Sequence, residues 1–416
     1  MHFDCKVNIV DAIMGAGKTQ SVMNYINQSD DDEKFLVITP FLDEISRYRS
    51  YCHGKNFKTP MYLKNNGKSS KLNDLKRLID KGDNIISTHA LFQKFDNELI
   101  DLCRAKNYTL VMDEVANVIE EYDLSKQDFE ILKQTYVDIN PETKQLIWKE
   151  EYSDYRGKFD NEKRLCELGS LCYGDNLMVW LFPIETFNAF RNIYILTYYF
   201  EMQMQKYYYD YYGVQYTYWS VSGSSLEEYH LVPYNKNITY NSYDYSKLIH
   251  VCENEKLNMI GDRESDLSYS WYNRNKNNAS MKVLKKNIYN YFRNIRDNKA
   301  EDNIWTTFKD YKELLKGKGY TKGFLPCNAR ATNEYRNRTN VVYPINKYLN
   351  PFVKNFFTIN QISVDENGFA LSEMLQFIWR SAIRDGNEIW VYIPSIRMRT
   401  LLQQWIKKNS PQITTK

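Results

Sequence analysis

The chain lacks the groups that usually announce a metal or disulfide scaffold. Its 416 residues hold five His and seven Cys, and Cys5, Cys52, Cys103, Cys166, Cys172, Cys252 and Cys327 are scattered along the whole length. No CxxC or His pairing has the spacing of a zinc site, so the expectation is reduced, buried thiols. No apolar run approaches the roughly 20 residues that a membrane span needs. The opening MHFDCKVNIV has neither the basic start nor the long apolar stretch of a signal peptide. These absences predict a cytoplasmic protein with no membrane partner. Charge of one sign is also scarce: the formal net charge is +3, too small to mark a nucleic-acid binder by itself, so such a role must rest on local basic surfaces.

What is present is ordinary for a globular protein, with 43% hydrophobic and 26% charged residues, apart from an excess of 35 Tyr. The length exceeds what one core usually serves and predicts two domains. Short β-branched runs alternate with helical patterns, as in a parallel sheet covered on both faces. The runs in the first half are KVNIVDAI (6–13), FLVITP (35–40), NIISTH (84–89), TLVMDE (109–114), NLMVWLF (176–182) and NIYILTYY (192–199). KLIHVCE, NIWTTFK, GFLPCN, VVYPIN and EIWVYIPS repeat the pattern in the second half. The expected fold is therefore α/β, two RecA-like parallel-sheet lobes with helices on both faces. The expected boundaries are 1–205 for a first lobe with an insertion at about 117–175, 206–245 for a Tyr-rich connector, and 246–416 for a second lobe.

DAIMGAGKTQ (11–20) begins where the first strand ends. Within it Ala12, Gly15, Ala16, Gly17, Lys18 and Thr19 make a P-loop with Ala at its first glycine position. Two glycines let backbone N–H groups turn toward β- and γ-phosphates, the next helix offers its positive end, Lys18 reaches the phosphates and Thr19 can ligate Mg2+. Such a loop needs a carboxylate strand, which TLVMDE supplies: Asp113 to hold the metal and Glu114 as base for the attacking water. A nucleoside triphosphate with Mg2+ is the expected ligand. In EMLQFIWRSAIRDG (373–386), Gln376, Arg380 and Arg384 recur every four residues, which on a helix makes one face. Arginines so placed can neutralise charge on a transferring phosphoryl group.

Together these segments resemble superfamily 2 helicases, in particular the small helicase-like ATPases of bacteriophages, and they are similar to the helicase part of viral origin-binding proteins. AIMGAGKT looks like motif I, VITPFLDEISRY motif Ia, ISTHALF motif Ib, VMDEV motif II and ILTYYFE motif III. NIWTTFK looks like motif IV, CNARATNEYRNRTNVVY motif V and QFIWRSAIR motif VI. The resemblance implies nucleic-acid contacts from Thr39, Pro40, Thr88, His89, Asn328, Arg330, Thr332 and Arg336. It implies an ATP-dependent helicase or translocase that binds ATP and Mg2+ and moves along or unwinds DNA, with single-stranded DNA favoured and RNA left open, in phage replication or recombination, with replication proteins as partners. The alternative is a DNA-stimulated ATPase that remodels or loads proteins at a replication origin with little unwinding of its own. Three stretches interleave cations with aromatic rings, as single-strand binders do: 53–71, 281–299 and 335–340.

Overall fold

The computed structural model describes residues 5–40, 42–62, 70–174, 177–235, 243–327 and 334–410. The chain divides into two compact units. The first is Met1–Ala12, Gly17–Asn235 and Asn350–Val364; the second is Ile13–Ala16, Lys236–Leu349 and Asp365–Lys416.

In the first unit, β1 (Lys6–Asp11), β2 (Phe35–Thr39), β3 (Ile85–Thr88) and β4 (Thr109–Asp113) form where the apolar runs predict them. All five residues of β2 are buried, the mark of a strand covered on both faces. An insertion follows, in which β5 (Ile119–Glu121), β8 (Leu171–Gly174) and β9 (Leu177–Leu181) make a small sheet, and β6 (Val137–Ile139) pairs with β7 (Leu146–Trp148). The run at 176–182, expected in the parallel sheet, is β9 and pairs antiparallel with β5 and β8. Only two residues join β8 to β9, a connection that admits nothing but antiparallel pairing. The chain returns through β10 (Asn192–Thr197), β11 (Tyr216–Ser222) and β12 (His230–Pro233) to complete a seven-stranded sheet ordered β12-β11-β1-β10-β4-β2-β3, parallel except for β12.

The Tyr-rich stretch is not the connector that its composition suggests. Its first part is the helix Met204–Tyr212, with Tyr207, Tyr208 and Tyr209 in the core, and its second part is β11. A tyrosine can be core material once its hydroxyl has a partner: Tyr208 donates to the Phe182 carbonyl at 2.7 Å, and Tyr209 accepts from Gln205 at 2.9 Å. The helix Pro351–Ile359, expected in the second lobe, also belongs to the first unit, where Phe356 and Phe357 join the same core.

The second unit is built on β13 (Ile249–Val251), β14 (Asn303–Trp305), β15 (Asn340–Val342) and β16 (Ile389–Tyr392), a wholly parallel sheet ordered β13-β16-β15-β14. GFLPCN, expected as a strand, contributes only one bridge, from Phe324 to Trp305, because Pro326 has no N–H for a ladder. Both units are thus α/β with parallel sheets.

Candidate functional site

Three neighbouring strands of the first sheet end at the same place. β10 lies between β1 and β4, and its last residues tie the other two together. Ala12 N–H donates to the Thr197 carbonyl at 3.1 Å, and Glu114 N–H to the Leu196 carbonyl at 3.0 Å. The start of the glycine turn and the acidic pair, about 95 residues apart in sequence, therefore share one strand as their frame.

The loop from Ala12 to Lys18 makes two left-handed turns, with φ +88° at Gly15 and +89° at Gly17, a backbone that residues with a Cβ rarely adopt. Ala16 N–H closes the turn on the Ile13 carbonyl at 3.2 Å. Helix α1 (Lys18–Gln28) follows with no side-chain cap and no acid in its first turn. Its positive end suits an anion. Lys18 Nζ hydrogen-bonds the Ala12 carbonyl, curled back over the loop. A Cβ on Gly17 would stand 2.4 Å from the Tyr229 ring; Tyr229 is held by its carbonyl, which accepts from Asn24 at 2.8 Å. Tyr229 is a neighbour of the glycine turn that no motif reveals, because it arrives from the turn between β11 and β12.

Thr19 Oγ1 donates to both carboxylate oxygens of Asp113, at 3.4 and 3.3 Å. The hydroxyl and the carboxylate are thus brought together as the sequence predicts. Burial pushes Asp113 up to about 7, with Glu44 and Glu114 adding to the rise and Lys18 and Arg47 opposing it. Glu44 and Arg47 come from α2 (Leu42–Tyr51), where they face each other at 3.6 Å. Glu114 has φ +88°, a strained conformation for a residue with a side chain. Asp11, the last residue of β1, is a second buried acid that belongs to no motif. Its carboxylate accepts from Tyr199 N–H at 2.9 Å and Phe200 N–H at 3.1 Å, and burial raises it to about 6 against those two bonds. It anchors the turn after β10 to the end of β1, where the glycine turn begins.

The oxygen donors Thr19 and Asp113 suit a hard cation such as Mg2+. Among the described residues no group of three or more His, Cys, Asp or Glu could hold a metal. An ion seated here would take its remaining oxygens from phosphate and water.

The other expected site residues fare unevenly. Pro40 follows β2, and Thr88 and His89 stand at the end of β3. Thr39 is fully buried as the last residue of a doubly covered strand. His89 Nε2 lies 3.5 Å from the Asp113 carbonyl, turned toward β4. Of the 53–71 stretch, Lys55 is buried with its ammonium on the Ser29 and Asp30 carbonyls, Lys58 pairs with Asp83 at 2.6 Å and Phe57 is core. Those groups are structural. Asn328, Arg330 and Thr332 lie outside the described residues, and Arg336 is bound through two nitrogens to Asp385.

Gln376, Arg380 and Arg384 do not share one helix face. The helix Glu366–Ile378 ends before Arg380, and Arg384 sits in a separate short turn, Ala382–Asp385. Ser381 hydroxyl takes the Ile378 carbonyl at 2.6 Å, and Ala382 N–H turns away to the Arg338 carbonyl at 2.9 Å. A tertiary bond has thereby replaced the next helical one. Arg380 is 6% exposed, while Gln376 and Arg384 are half-buried.

Comparison with known proteins gives both family and distance. Residues 243–406 match the family model described as the YonV C-terminal Rossmann-like domain, and residues 119–180 match the YonV middle domain. The SPbeta prophage-derived protein YonV of Bacillus subtilis (strain 168) is 38% identical over 411 residues, 97% of this chain and 99% of the relative. Among solved structures, S. tokodaii Xpd4 is similar over 98% of this chain and 95% of its own, at 11% identity and TM-score 0.48. The DUF1998 helicase MrfA, bound to DNA and AMPPNP, is similar over 98% of this chain and 49% of its own, at 11% identity and TM-score 0.35. Likenesses at that level carry no argument about activity.

Proposed function

Given that the chain belongs to the YonV protein family, we propose that it is an ATP-dependent nucleic-acid motor, a helicase or translocase that hydrolyses ATP to move along or unwind DNA. One observation carries the reading: Thr19 at the start of α1, the helix that follows β1, and Asp113 at the end of β4 are joined at 3.3–3.4 Å, and only β10 separates β1 from β4. A phosphate loop held against an acidic strand end is what nucleotide hydrolysis requires.

In this proposal the amides of the glycine turn and the first turn of α1 bind the β- and γ-phosphates, and Lys18 leaves the Ala12 carbonyl for them. Thr19 and Asp113 would hold Mg2+, which supplies charge neutralisation at the phosphates. Glu114 orients and deprotonates the attacking water. Arg380 and Arg384 supply further positive charge to the γ-phosphate. Movement along single-stranded DNA is the work coupled to this cycle.

ATP turnover measured with single-stranded DNA, duplex DNA and RNA side by side tests it. Single-stranded DNA should stimulate most. Glu114→Gln should retain nucleotide binding and lose roughly 10²–10⁴-fold in turnover. Turnover that no polynucleotide alters sinks the motor, and the absence of turnover in the wild type sinks the ATPase.

A further inference from the structure

The chain's slight positive charge is unevenly placed. Between residues 274 and 322 stand thirteen Lys and Arg against five Asp and Glu, while the whole chain has a surplus of only three. The remainder is therefore net acidic. From 267 to 296 there is no Asp or Glu at all. The centre of this region is the helix Ala279–Asn290, which continues as a wider turn to Ile295. Met281, Leu284 and Ile288 bury its inner face, with Tyr291 and Phe292 beyond them in the same core. On the opposite side Lys282, Lys285, Lys286, Tyr289 and Arg293 are all exposed, at intervals of three, one, three and four. That spacing makes one continuous stripe about 16 Å long.

Two features set the stripe apart from a merely solvated face. None of its four cations forms an ion pair among the described residues, whereas basic residues elsewhere, such as Lys58, Lys76 and Lys206, are paired with carboxylates. The ring of Tyr289, 40% exposed, stands within the row of charges. The loop carrying Lys318 also borders it, for Gly319 lies beside the Arg293 side chain, whose Cδ is 3.6 Å from where a Cβ would be.

We propose that this stripe is a docking surface for single-stranded nucleic acid, with Lys282, Lys285, Lys286 and Arg293 on successive phosphates and Tyr289 stacked on a base. None of the motif-bearing segments contributes a residue to it. The choice of ligand rests on the motor reading, but binding here needs no ATP chemistry.

The test is anisotropy of a fluorescently labelled oligothymidylate titrated with the full-length protein across a salt series. Lys282→Gln/Lys285→Gln/Lys286→Gln should weaken binding at least about tenfold and make the slope of log K against log salt shallower by about 2, roughly 0.7 for each phosphate no longer neutralised. Tyr289→Ala should weaken binding roughly 5- to 100-fold and leave the slope unchanged. Lys→Arg at the same three positions should preserve both quantities. ATP turnover without polynucleotide should be unchanged in all variants, so failure of the motor reading and failure of this surface are read separately. Wild-type affinity and slope in the triple Gln variant overturn the proposal. So does a triple variant that loses only its binding to phosphatidylserine vesicles, which would make the stripe a membrane surface.

Discussion

Asp113 is the residue whose surroundings make the sharpest demand. Burial near Glu44 and Glu114 raises it to about 7, so in the absence of metal it is largely protonated below neutrality. An acid held above its ordinary value near 4 adds stability while protonated. That contribution is complete below about pH 4 and is lost as pH climbs through 7. The nucleotide-free protein should therefore lose stability between about pH 4 and 7, and Asp113→Asn should flatten the decline, raising stability near pH 8 by about 1–3 kcal/mol; chemical denaturation across pH checks both. Mg2+-dependent nucleotide binding has the opposite sign and should strengthen as pH rises through about 7, because the metal needs the carboxylate. Gly17 makes a second prediction at this scale. Its φ of +89° and the Tyr229 ring 2.4 Å from a would-be Cβ mean that Gly17→Ala should cost at least tenfold in nucleotide affinity. Gly17→Ala/Tyr229→Ala should recover only the part due to the ring, leaving the strain of the left-handed turn.

At the scale of elements, local patterns located α1 and β4 because each has one dominant environment, whereas 281–299 read in sequence only as a basic stretch and its helix, Ala279–Asn290, came from the structure. The four-residue recurrence of Gln376, Arg380 and Arg384 misled for a physical reason. A helix continues only while its N–H groups bond back along the chain, and Ala382 bonds across to Arg338 instead. Likewise the apolar run of β9 could not declare its sheet, since a buried antiparallel strand and a parallel one read alike in sequence. The basic stretches divide on the same principle. Lys55 and Lys58 found partners during folding, whereas the cations of 282–293 are arrayed on one face of a helix whose other face is core. Because that inner face is what holds the helix, Leu284→Ala, at a fully buried position, should destabilise the second unit by about 2–5 kcal/mol in equilibrium unfolding.

Across the whole molecule the chain passes between the two units more than once, since Asn350–Val364 belongs to the first. Phe356 and Phe357 meet Tyr211 and Tyr207 at ring separations of 5.1 and 5.8 Å, and Asn350 donates to Glu121 at 3.1 Å. A fragment ending at Asn235 would thus lack part of its own core. It should aggregate or melt well below the full chain, and Phe357→Ala in the full chain should cost about 3–5 kcal/mol in the unfolding of the first unit.

By itself the sequence determined the α/β class, the glycine-rich turn between β1 and α1 and the acidic pair at the end of β4, because each depends on strand, turn and helix signals within a few residues of one another. Only the tertiary structure decided that Thr19 meets Asp113, that the tyrosines of 207–209 are core rather than linker, that Pro351–Ile359 serves the first unit, that Asp11 and Tyr229 border the glycine turn, and where the helix before Arg380 stops. Each of those outcomes turns on a contact between residues far apart in the chain. A buried hydroxyl needs its acceptor, an aromatic face its neighbour and a helix end its alternative partner, and no local pattern records which distant residue will provide it.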